Sequence, residues 1–153
     1  MFHLFRRNKS LLGAADEEQI VNAIKEAERT TSGELRVFIE SRCAYVDAMD
    51  RAREIFFKLK MEQTALHNGV LIYVALTDRQ IALFGDEGIY KKTNGDPYWH
   101  GILKMMRASF KEGKIAEGIA KAALQVGRTL AEHFPYDEQT DKNELPDDIV
   151  FGR

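Results

Sequence analysis

The stretch "NGVLIYVALTDRQIALFG", residues 68–85, decides the fold. Val70 to Leu76 is a nearly unbroken apolar run, the pattern of a central strand covered on both faces. Thr77, Asp78 and Arg79 interrupt it only briefly before Gln80 to Phe84 resumes, so the two runs predict a hairpin with Asp78 and Arg79 in its turn. Pairing Leu76 with Arg79 fixes the register. Val70 then faces Gly85, Gly69 faces Asp86 and Asn68 faces Glu87.

Upstream, Asp16 to Arg29 carries Ile20, Ala23, Ile24 and Ala27 at helical spacing, with Asp16 as the expected cap and "TTSG" as the stop. Glu34 to Arg42 alternates Leu35, Val37 and Ile39 against Arg36, Phe38 and Glu40, which predicts a strand. Asp47 to Gln63 returns to a helical period. Downstream, Ile102 to Phe110 predicts a helix, "KEGK" breaks it, and Ile115 to His133 predicts another. A strand joined through a helix to the next strand implies parallel pairing by a right-handed crossover. The expected class is α/β: an α/β/α sandwich whose mixed, mainly parallel sheet carries one antiparallel hairpin. The organisation expected is a basic amphipathic arm over 1–15, one domain over 16–134 and an acidic tail over 135–153, with Ile149 to Phe151 docking back.

Composition narrows the function. A chain of 153 residues with 30% charged and 44% hydrophobic residues suits one ordered domain, and a net charge of −2 argues against non-specific nucleic-acid binding. The longest apolar run is far short of the ~20 residues of a membrane span. "MFHLFRRNKSLL" has no signal-peptide core, and Cys43 is alone, so the expected location is the cytoplasm and a zinc role is disfavoured. The arm has two readings, a surface- or partner-docking segment and a segment packing its phenylalanines on the domain.

The hairpin register brings acids together. Parallel pairing puts Glu34 at the same sheet edge as Asn68, Asp86 and Glu87, and Asp96 stands a few residues on. Clustered carboxylates repel, and a hard cation such as calcium or magnesium removes that cost using oxygen donors. The expected ligand set is Asp86, Glu87, Asn68, Glu34 and Asp96. The competing reading of "GDEGIYKKTNGDP" is a turn in which Asp86 caps a short helix, Glu87 faces solvent and Asp96 caps the next helix ahead of Pro97. Arg107 and Lys111, with Lys114 nearby, would hold a phosphate or complement a helix dipole. Trp99 is a substrate wall or core filling. Asp137, Asp141, Asn143 and Glu144 lack calcium-loop spacing, and His3, His67, His100 and His133 share no ligand spacing.

"TSGELRVFIE", "NGVLIYVAL", "DRQIALFGDEGI" and "FKEGKIAEGI" occur in an order that resembles the TPM domain, named for a thylakoid lumen phosphatase, a photosystem II repair protein and a modulator of levamisole receptors. The resemblance spans about residues 16 to 134 and looks like the short bacterial form, without the secretion signal and C-terminal anchor of longer relatives. It implies an α/β/α sandwich with a cleft beside the 85–97 loop. It also implies divalent-cation binding in some members, acid phosphatase activity in the thylakoid member, and assembly or repair of membrane complexes in others. Asn68, Gly69, Gly85, Gly88, Phe110 and Gly113 match family positions, and Asp86 and Glu87 fall where the family often places acids. Three functions are therefore expected as alternatives: a regulatory or assembly-type cation-binding domain, a metal-assisted phosphatase, and a module binding a protein partner or membrane-associated complex.

Overall fold

The computed structural model describes residues 12–136 and 149–152. Expectations for residues 1–11, and for Asp137, Asp141, Asn143 and Glu144, lie outside them. In chain order the elements are α1 (Ala14–Glu28), β1 (Glu34–Glu40), α2 (Ala48–Lys58), a 3-10 turn (Met61–Gln63), β2 (Gly69–Ala75), β3 (Gln80–Gly85), α3 (Glu87–Lys92), α4 (Asp96–Lys111), α5 (Ile115–His133) and β4 (Ile149–Phe151).

The sheet order is β3-β2-β1-β4. β2 and β3 pair antiparallel with Val70 opposite Gly85, the register expected from the turn. β1 runs parallel to β2 with Glu34 opposite Gly69. Ile149 to Phe151 does return to the body, and it does so as a strand, pairing parallel with Val37 to Ile39. A segment of three residues gives no readable alternation, which is why it reads only as docking in the sequence.

Alternation along β1 sends its side chains into two cores. Leu35, Val37 and Ile39 join Ile72, Val74 and Leu83 under α1, α4 and α5. Phe38 joins Leu71, Tyr73 and Ala82 beneath α2. Both faces of the sheet are covered, as an α/β/α sandwich requires.

Three helix boundaries differ from expectation. α1 begins at Ala14 behind Gly13, with no side-chain cap, and Asp16 lies inside the first turn, where its charge still favours the helix dipole. α2 is capped by Asp47, which accepts from the Met49 N–H at 2.9 Å, but it stops at Lys58 because Lys60 turns left-handed, at φ 59°. α4 starts one residue earlier than expected: Gly95 holds the cap position and Asp96 is already helical, followed by Pro97.

Candidate functional site

The amino end of the parallel strands carries the acidic loop. The main chain converges there as the register requires: Glu34 N–H donates to Asn68 O at 3.3 Å and Asp86 N–H donates to Gly69 O at 2.9 Å. Gly88 closes the loop, since a Cβ on it would lie 2.4 Å from Leu66 O and 2.5 Å from His67 O, closer than real atoms approach.

The side chains have separate occupations. Asp86 caps α3, accepting from Glu87 N–H at 2.8 Å, and its other oxygen stands 3.4 Å from His67 Nδ1. Glu87 is exposed and pairs with Lys91 at 3.7 Å. Asp96 accepts from the Tyr90 hydroxyl at 2.8 Å, and that bond holds the phenol above its ordinary pKa. Glu34 is buried. Asn68 is 1% exposed, and its side-chain oxygen and nitrogen have no hydrogen-bond partner among the described residues. Among those residues no group of three or more His, Cys, Asp or Glu is placed to hold a metal ion. Trp99 is buried in the larger core, with its ring 4.8 Å from that of Tyr98.

The opposite, carboxyl end holds a cavity of about 630 Å³ between the β2–β3 turn and the junction of α4 with α5. Leu76, Ile81 and Phe110 supply apolar wall, and Arg79, Arg107 and Lys111 supply three positive charges. Among the described residues none of the three makes an ion pair, and no carboxylate lines the cavity. Gly113 and Ile115, at the start of α5, complete the wall. Arg107 and Lys111 are legible in the sequence as a basic helix end. Arg79 is legible there only as a turn residue, because nothing in the hairpin pattern says that α4 ends beside that turn.

A family model described as the TPM domain matches residues 6–129. The chain belongs to the TPM domain family. This TPM domain is similar to the BA42 protein of the psychrophilic bacterium Bizionia argentinensis, whose NMR structure shares 39% identity at a TM-score of 0.82, covering 92% of this chain and 95% of that one. It also shares its fold with the N-terminal domain of a P. gingivalis protein, at 24% identity and a TM-score of 0.60, with 83% of each chain covered. No curated protein matches. Among the described residues of this TPM domain, no helix is long and apolar enough to cross a membrane.

Proposed function

We propose that this domain recognises a phosphate-bearing ligand in the carboxyl-end cleft. The observation that supports the reading is the joint placement of Arg79, Arg107 and Lys111 around one cavity whose described lining includes no carboxylate. Three cations around one cleft make a positive field, and an anion carrying two charges is drawn to it. The location agrees, since open α/β sheets bind ligands outside the carboxyl ends of their strands. So does the size, within the roughly 300–1,000 Å³ of small-molecule sites. α5 begins at the cavity wall, and Lys114 at its cap position makes no side-chain cap bond, so helix N–H groups add to the positive field.

The family model bears the word phosphatase in its name. The described lining offers no hydroxyl, thiol, imidazole or carboxylate, so we assign recognition and no hydrolytic step. A reducing compartment such as the cytoplasm suits this reading, as it suits the single, free Cys43.

Titrating inorganic phosphate while recording amide shifts tests the assignment. Residues 76–81 and 107–115 should respond first, and reversing both charges, Arg107→Glu with Lys111→Glu, should weaken binding roughly tenfold or more, as expected for charge-assisted hydrogen bonds. Responses confined to other loops would refute it.

A second reading, a calcium or magnesium site at the amino end, is favoured by one observation, the buried Asn68 amide without a partner among the described residues. Asp86, Glu87, Glu34 and Asp96 would have to leave or share their present contacts to join it. Calcium titration should then move the amides of Gly85 to Gly88 and Asn68, and Asn68→Leu should abolish that response. Shifts elsewhere, or a response that survives the substitution, would end this reading.

A further inference from the structure

Arg79 has a left-handed backbone, φ 55°, at the last position of the β2–β3 turn. That position favours glycine, because a side chain there crowds its own carbonyl. The turn is also tied down from outside. Thr77 N–H donates to Ser41 O at 2.7 Å, and the Ser41 and Thr77 hydroxyls lie 2.6 Å apart. Asp78 accepts from Cys43 N–H at 2.7 Å and pairs with Arg42 at 3.3 Å. A tight hairpin turn needs none of these braces to close. Lys60, His67 and Asn94 are left-handed as well, but of these four only Arg79 lines the cavity, and backbone strain at such a wall points to a functional contact.

We infer that Arg79 is the specificity-determining contact of the cleft, that Asp78 is the positioning residue that aims it, and that the ligand is a phosphomonoester in its dianionic form. This rests on the phosphate reading above and deepens it. A planar guanidinium engages two oxygens of one tetrahedral anion, which an ammonium cannot do. Arg107 and Lys111 then meet the remaining charge, and against three cations a dianion neutralises more of the cleft than a monoanionic carboxylate does.

The test uses glycerol 3-phosphate, sulfate and acetate as probes, with calorimetry and thermal melting on the whole chain. Glycerol 3-phosphate should bind more tightly as pH rises through its second ionisation, near pH 6, whereas sulfate, already doubly charged, should show little change. Acetate should bind weakest. Arg79→Gly should weaken glycerol 3-phosphate by roughly tenfold or more while melting no lower than the wild type, because glycine suits the left-handed position. Arg79→Lys keeps the charge and should still lose several-fold in affinity. Asp78→Asn should weaken binding in the wild type but not in the Arg79→Gly background.

Equal affinity of wild type and Arg79→Gly overturns the inference, as does an Asp78→Asn effect that persists without Arg79. In both cases phosphate recognition by Arg107 and Lys111 still stands. Failure of the wild type to bind either glycerol 3-phosphate or inorganic phosphate removes both readings together.

Discussion

Replacing Arg51 by methionine should lower the unfolding free energy by about 3 kcal/mol, the lower end of the cost of stripping one partner from a buried ion pair. Arg51 grips Glu40 with two bonds, from Nε to Oε2 and from Nη2 to Oε1, each 2.9 Å long. Glu40 sits at the end of β1 with its side chain only 6% exposed, so loss of the guanidinium leaves a largely buried charge without its main partner. The Tyr73 hydroxyl also donates to Glu40, and burial together with that bond holds the phenol protonated well above its ordinary pKa. The lower end of the range applies because the Arg51 side chain keeps 20% exposure and also pairs with Glu54. Denaturant melts of Arg51→Met, Glu40→Leu and the double variant check the claim. The double variant should recover part of the single loss, since no unpaired charge is left inside, while the buried Tyr73 hydroxyl loses its acceptor. A double variant as unstable as the sum of the singles would show that the two residues act independently.

The second large effect lies where α1 crosses α5. A Cβ on Gly127 would sit 2.4 Å from the Ala27 Cβ and 2.7 Å from its Cα, so Gly127→Ala forces a backbone, not a flexible side-chain tip, to move. Alanine gains roughly 1 kcal/mol of helix propensity over glycine. Overpacking against a fixed backbone typically costs about 1–3 kcal/mol or more, and the closeness of these atoms places this site at the upper end, so the substitution should destabilise on balance. Gly101 in α4 is the internal control. A Cβ there would meet nothing within 4 Å, so Gly101→Ala should stabilise by roughly the propensity difference. Two glycine-to-alanine changes in helices, with opposite signs in a thermal melt, separate packing from propensity.

The hairpin shows how far sequence patterning reaches. A short polar break between two apolar runs fixes which residue faces which across β2 and β3, and the parallel partner of β1 follows from the intervening helix. Those inferences rest on periodicity, and periodicity is local. The contents of the two ends are less legible. Asp86 and Asp96 have the same composition signature whether they cap, accept a phenol or bind an ion, and only the structure shows that Asp86 caps α3 and Asp96 accepts from Tyr90. Arg79 escapes notice as a binding residue because its importance depends on the meeting of a turn and a helix end far away in the chain. No pattern within either segment records that meeting. Arg107 and Lys111 are readable because they lie one helical turn apart on a single element.

Strand β4 bears on the order of folding. It joins β1 from far along the chain, so its loop-closure entropy is the largest of any pairing in the sheet. The β2–β3 hairpin closes locally and is expected to form early, with β1 added across its crossover and β4 last. During synthesis, β1 therefore waits with one bare edge until Ile149 to Phe151 have left the ribosome, and that interval is when a nascent copy is most exposed to wrong pairing.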